Sequence, residues 1–173
     1  MRLFFGLPLS PNAREAVSSR LQEIRKKHRF GKVTWVQPGL YHVTLWFLGE
    51  WPESALDKIF GWEEGLRAFS PLSVKLGPLT AFPRVLFLGV QPGEDLVRIY
   101  QLISLALHCL HLPDTGRPYV PHLTIGRSKE KGAFRALPEF GDPVPDILDS
   151  VVLYESRLLT TGPVYRRITT ATL

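Results

Sequence analysis

The stretch YHVTLWFLGE, Tyr41–Glu50, carries His42 and Thr44 two positions apart in an apolar, β-branched run. Eighty positions on, PHLTIGR, Pro121–Arg127, carries His122 and Thr124 in the same way. Runs of this kind read as strands. Side chains alternate across a strand. In each stretch the imidazole and the hydroxyl therefore share one face, while Val43 and Leu45, or Leu123 and Ile125, share the other. The apolar back seats the strand in a core, and the polar front is offered to a cleft. On the same alternation Trp46 joins His42 and Thr44, whereas Phe47 is expected to point into the core.

The surroundings of the two stretches repeat as well. RLFFGL, residues 2–7, reads as a strand. Ser10 is a good helix N-cap and Pro11 suits the first helical position. Ala13, Ala16, Val17, Leu21 and Ile24 then recur at helical spacing, and the basic end running to His28 complements the helix dipole. VTWV and the loop QPGLY lead into the first motif. From residue 85 the order returns: the strand VLFLGV, the turn QPGED, the helix LVRIYQLISLALHCL, the loop HLPDTGRPYVP, and the second motif. Gly6 lies 36 positions before His42, and Gly89 lies 33 before His122. Two copies are too few for a solenoid and imply two lobes related by a pseudo-two-fold axis. Elsewhere PESALDKIFGWEEGLRAF is expected to be a helix weakened by Gly61 and Gly65. LSVKLGPLTAF reads as strands with a turn, and Lys129 to Pro145 as an exposed loop. The C-terminal stretch from Ser150 reads as a hairpin turning at Thr161–Gly162–Pro163. No segment is long enough to separate independent units, so residues 1–173 are expected to form one domain of two interleaved lobes.

Composition narrows the classes. The 173 residues are 45% hydrophobic and 21% charged, as in soluble globular proteins. No apolar run approaches the roughly 20 residues that span a bilayer, so no membrane partner is expected. MRLFFGLPLSP lacks a small-residue cleavage site and reads as a first strand. Cys109 is the one cysteine. It excludes an internal disulfide, and a cytoplasmic setting is expected. The net charge is +5, with pI ≈ 9.6, and arginines outnumber lysines 14 to 7. That balance favours a polyanion, since guanidinium forks match phosphate oxygens.

Two imidazoles and two hydroxyls on facing strands suit a phosphoryl centre. One imidazole removes a proton from water and the other protonates the departing alkoxide, both with a reference pKa of about 6.5. Thr44 and Thr124 can donate to the non-bridging oxygens. Arg127 can add charge-assisted contacts if the chain bends after Ile125. The motifs hold no carboxylate, and His-x-Thr has no zinc-ligand spacing, so neither metal nor other cofactor is expected. His108 and His111 in HCLH lack a convincing third and fourth ligand.

On these residues the chain resembles the LigT-like 2H phosphoesterases, a superfamily marked by paired His-x-Thr motifs. More narrowly it is similar to the RNA 2′,3′-cyclic phosphodiesterases, also described as 2′-5′ RNA ligases. The match runs through RLFFGLPL, VTWVQPGLYHVTLWFLGE, RPYVPHLTIGR and LYESRLLTTGPVY. The resemblance implies an α+β fold with two pseudo-symmetric lobes of antiparallel sheet, flanking helices and a central cleft. It implies metal-free opening of an RNA 2′,3′-cyclic phosphate to a 2′-phosphate, with His42 as proton donor to the 3′-oxygen and His122 as the base. Thr44, Thr124 and Arg127 would hold the phosphate. The partner would be RNA with a cyclic phosphate end, tRNA fragments among the candidates, and the protein a monomer. Run backwards, the same site could join RNA ends through a 2′-5′ bond. Alternatives left open are another 2H activity, on a different cyclic phosphate or a 2′-5′ linkage, and an RNA-end binding or ligating protein. Relatives often carry a basic residue where this chain has Trp46, so Trp46 either stacks on a base or walls the cleft. Tyr119 is a candidate ribose contact, and Arg84 and Arg117 are candidates to line the cleft.

Overall fold

The computed structural model describes residues 1–107, 118–160 and 162–173. In chain order the elements are β1 (Arg2–Pro8), helix α1 (Pro11–Lys27), β2 (Thr34–Trp35), β3 (His42–Glu50), β4 (Leu72–Phe82), β5 (Val85–Gln91), helix α2 (Glu94–Ala106), β6 (His122–Arg127), β7 (Val144–Leu148), β8 (Ser150–Leu159) and β9 (Gly162–Thr172). The fold is α+β. Its strands form one antiparallel sheet in the order β7-β4-β5-β6-β3-β1-β8-β9, with β2 added beside β6.

The two halves meet where the motifs lie. β3 and β6 are neighbours, and their registered pair is Val43 with Leu123, the residue that follows the histidine in each copy. Equivalent positions pairing across an antiparallel junction are what a pseudo-two-fold axis between strands requires. Each motif strand then has an equivalent outer partner: Leu7 pairs with Val43, and Leu88 pairs with Leu123. Beyond Leu123, β6 exchanges partners. Trp35 pairs with Gly126 and the Val36 amide donates to the Ile125 carbonyl. The Thr44 carbonyl on β3 is satisfied instead by the Tyr119 hydroxyl, at 2.9 Å. The central strands therefore diverge without leaving these polar groups unpaired.

Both helices pack into one core. Ser10 caps α1 by accepting from the Ala13 amide at 3.2 Å, and Ala13, Val17, Leu21 and Ile24 form the buried stripe. Leu96, Ile99 and Ile103 do the same for α2. They pack with Leu3, Phe5, Leu7, Val43, Leu45, Leu123 and Ile125 from the inner strands. The opposite face of β1 and β8 carries a separate small cluster of Phe4, Val152 and Tyr154, with Tyr165 beside it.

Three expectations are corrected. Residues 52–69 form two short 3₁₀ segments, Glu53–Ile59 and Glu64–Ala68, not one helix. Gly61 has φ +94, which breaks the run, and Gly65 sits so close to α2 that a Cβ would meet Leu102 Cδ1 at 2.7 Å. The segment from Lys129 to Pro145 is not simply an exposed loop: Phe134 and Phe140 are buried, and Val144 and Pro145 begin β7. Phe47 is 57% exposed, not a core residue. Its displacement has a definite cause in the register. Phe5 pairs with Trp46 and Gly6 with Thr44, so Leu45 is an extra residue on β3; Leu48 is a second, between Gly49 and Phe47. The bulges interrupt the alternation, so Leu48 instead of Phe47 follows Val43 and Leu45 into the core, and Phe47 turns out beside Phe4, 5.6 Å between ring centroids. The C-terminal hairpin forms as expected, but Gly162 and Pro163 already belong to β9, paired with Leu159 and Leu158, so the chain turns before them; Thr161 lies outside the described residues. HCLH, with Cys109, and Arg117 also lie outside them.

Candidate active site

His42 and His122 are both set at the first residue of a strand and held in the same way. The Nδ1–H of His42 donates to the Leu40 carbonyl at 2.7 Å, and that of His122 to the Val120 carbonyl at 2.7 Å. Each carbonyl lies two residues upstream. This contact selects the neutral tautomer with its proton on Nδ1 and leaves Nε2 for chemistry. In His42 that nitrogen lies 3.0 Å from Thr44 Oγ1. With the ring neutral, the hydroxyl donates to it. About the Val43–Leu123 pair the two histidines are diagonal neighbours, a relation that separates backbone positions by about 7–8 Å. Long side chains reach across that distance, and His122 lies near enough to His42 to affect its ionisation.

An aromatic ring supports each imidazole. Phe4 lies 4.9 Å from the His42 ring and Tyr165 5.4 Å from it; Phe87 lies 5.1 Å and Phe82 5.5 Å from the His122 ring. Gly6 leaves room for the first of these rings, because a Cβ there would meet His42 Cδ2 at 3.0 Å. Burial pulls the His42 pKa down to about 4, helped by the charges of Arg127 and His122 and opposed by the Leu40 hydrogen bond. His122 is lowered too, first by burial and then by Arg127, against the Val120 hydrogen bond. Both rings are therefore neutral in the free protein at pH 7. An anion between them would raise both values.

Arg127 follows a bulge on β6 like that of the first motif. Leu86 pairs with Gly126 and Phe87 with Thr124, so Ile125 is the extra residue on β6. The expected phosphate contact of Arg127 needs a bend after Ile125, and the register has a bulge at that residue. Leu45 and Ile125 are equivalent positions, and so are Phe47 and Arg127. The guanidinium acts electrostatically on His42, His122 and Tyr165.

On the His122 side of the site lies a cavity of about 560 Å³ lined by Thr44, Trp46, Phe47, Phe82, Tyr100, Tyr119 and His122 among others. Trp46 forms part of this wall. It stacks on Tyr100 at 4.9 Å, and Tyr100 stacks on Tyr119 at 4.5 Å with the rings 2° from parallel. Tyr119 thus offers the cavity its ring, its hydroxyl being engaged by Thr44. Arg84 is exposed at the turn between β4 and β5 and lines neither this cavity nor the one on the His42 side. The aromatic packing of Tyr100 and Phe82 around this end carried no sequence signal, since neither residue lies near a motif.

A two-lobed antiparallel sheet with a His-x-Thr pair on each central strand is the architecture of the 2H phosphoesterases. The chain belongs to the 2′-5′ RNA ligase superfamily, whose family model matches residues 13–155. It is 31% identical to a Thermotoga maritima protein named RNA 2′,3′-cyclic phosphodiesterase, over 96% of this chain and 92% of that one. It is 29% identical to a Methanocaldococcus jannaschii protein of the same name, over 97% and 98%. Among solved structures, Escherichia coli LigT complexed with 3′-AMP superposes with a TM-score of 0.83 at 22% identity, over 99% of this chain and 97% of that one. A Thermus thermophilus structure gives 0.77 at 26% identity, over 100% and 98%. No helix among the described residues is long and apolar enough to cross a membrane.

Proposed function

We propose that this protein opens RNA 2′,3′-cyclic phosphate ends to 2′-phosphates, with His42 and His122 as the acid and base. The observation that carries the reading is the matched tethering of the two rings. Each Nδ1–H is fixed to a carbonyl two residues upstream, and the two rings lie on adjoining strands at the pseudo-two-fold junction. The name shared by relatives about 30% identical over most of the chain points to the same substrate.

The substrate phosphodiester carries one negative charge. Its arrival raises the His42 pKa. The ring takes up a proton on Nε2, so Thr44 Oγ1 can no longer donate to that nitrogen and its own proton turns toward a non-bridging oxygen, while the new Nε2–H is left for O3′. Neutral His122 accepts a proton from water at Nε2 as the water oxygen attacks phosphorus. The bond from phosphorus to O3′ breaks, and His42 delivers its proton to O3′. The products are a 3′-hydroxyl and a 2′-phosphate. His122 ends charged and His42 neutral, and exchange with solvent restores both. Thr44, Thr124 and Arg127 stabilise the charge on the non-bridging oxygens. With an RNA 5′-hydroxyl in place of water, the same path forms a 2′-5′ bond, and its reverse cleaves one. Halves of cleaved tRNA would supply both ends.

The test is an RNA oligonucleotide ending in a 2′,3′-cyclic phosphate, incubated with the protein and a chelator and followed by ³¹P NMR. A 2′-phosphate is expected, with either His→Ala change slowing its formation by roughly 10²–10⁴. An unopened ring or a 3′-phosphate product would overturn the reading.

A further inference from the structure

The hydrolysis just described leaves a second cavity unused. It lies on the His42 side of the site and measures about 500 Å³. Arg14 of α1 and Arg167 of β9 line it, together with Tyr154 and Tyr165, and His42 forms part of its wall. Among the described residues neither guanidinium is in an ion pair. The acidic residue on the lining, Asp149, accepts from the Ser150 hydroxyl at 2.9 Å. Arg167 and Arg14 both act on the Tyr154 phenol, lowering its pKa against the larger effect of burial. Arg127 and Arg2 do the same at Tyr165. This end of the cleft is cationic. The cavity on the His122 side is aromatic, and no lysine or arginine among the described residues lines it.

A nucleotide at an RNA 3′ end has two arms beyond its cyclic phosphate. One is the base, which stacks on aromatic rings. The other is the 5′-oxygen, which leads to the next phosphodiester and seeks guanidinium donors. We propose that Arg14 and Arg167 form a subsite for the phosphodiester one nucleotide upstream of the reacting phosphate, the terminal base lying in the aromatic cavity. The site then selects the end of an RNA chain over a free cyclic mononucleotide. This rests on the hydrolase reading and adds to it the polarity of the bound strand.

The experiment compares kcat/KM for a nucleoside 2′,3′-cyclic phosphate, a dinucleotide with the same cyclic end, and that dinucleotide with a neutral methylphosphonate linkage. The dinucleotide should be favoured about tenfold, as a charge-assisted contact allows. The methylphosphonate should lose that advantage. An R14Q/R167Q double variant, checked for an unchanged melting temperature, should lose it too and be indifferent to the methylphosphonate. The salt dependence of dinucleotide binding should fall by about 0.7 in logarithmic slope in that variant. Equal kcat/KM for charged and neutral dinucleotides with the unmodified protein would overturn the subsite whatever the variant does. If no substrate is opened, the hydrolase reading fails separately. The subsite is then read by fluorescence anisotropy of labelled 2′-phosphate dinucleotides, where tighter binding of the charged linkage supports it and equal binding refutes it.

Discussion

Lowering the pH should destabilise the protein more steeply than it destabilises a His42→Asn variant. His42 is half-buried among Phe4, Tyr154 and Tyr165, with its pKa pulled from 6.5 to about 4. In the unfolded chain the ring regains its ordinary value. Below pH 6.5 the unfolded state therefore binds the proton first, and stability falls as pH drops until the folded ring also titrates near 4. The linkage relation puts the loss at about 2 kcal/mol by pH 5 and about 3 kcal/mol by pH 4, against almost nothing at pH 7. Asparagine does not titrate, and its amide can still donate toward the Leu40 carbonyl. The difference between the two proteins therefore isolates the imidazole from the other histidines. Urea unfolding at intervals from pH 7.5 to 4 reads it directly. Added phosphate should shrink the difference, because a bound anion raises the folded-state pKa. A difference that stays flat from pH 7 to 4 would refute the reasoning, since it would mean that His42 titrates at the same pH folded and unfolded.

Other outcomes follow from the same geometry. The profile of kcat/KM against pH should be a bell with both limbs below about 6.5, since both imidazoles are lowered in the free protein; the limbs of kcat should move to higher pH once the substrate's charge is present. Thr44→Val removes the hydroxyl 3.0 Å from His42 Nε2 and should lower kcat by about 10²-fold, with the melting temperature little changed. Gly6→Ala puts a methyl 3.0 Å from His42 Cδ2 and 3.2 Å from the Val43 carbonyl, so the ring must shift; single-turnover rates should fall about tenfold.

The motif strands were legible because alternation held over the residues that matter. His42 through Thr44 and His122 through Thr124 obey it without a break. The helix α1 was legible from its cap and from the spacing of its apolar residues. What failed did so through long-range pairing. Phe47 faces outward because Leu45 and Leu48 are extra residues relative to β1, and a bulge is a property of two strands, not of one. The equivalence of Phe47 with Arg127 was hidden for the same reason. In residues 52–69 the apolar spacing suggested a helix, but Gly61 and the close approach of Gly65 to Leu102 impose two short turns. Arg14 sits in an ordinary helix and Arg167 in a basic pair on a hairpin. Nothing local sets either apart from the other arginines, and only the packing of α1 and β9 around His42 brings them to one cavity.

A crystal structure with a nucleoside 2′-monophosphate bound would show most directly whether two imidazoles serve one phosphorus. Nε2 of His42 and Nε2 of His122 should each lie about 2.6–3.2 Å from a different oxygen of the same phosphate, with Arg127 reaching a third. A phosphate held by only one of the two rings, or lodged among the aromatic residues beyond both, would contradict the shared centre and with it the assignment of acid and base.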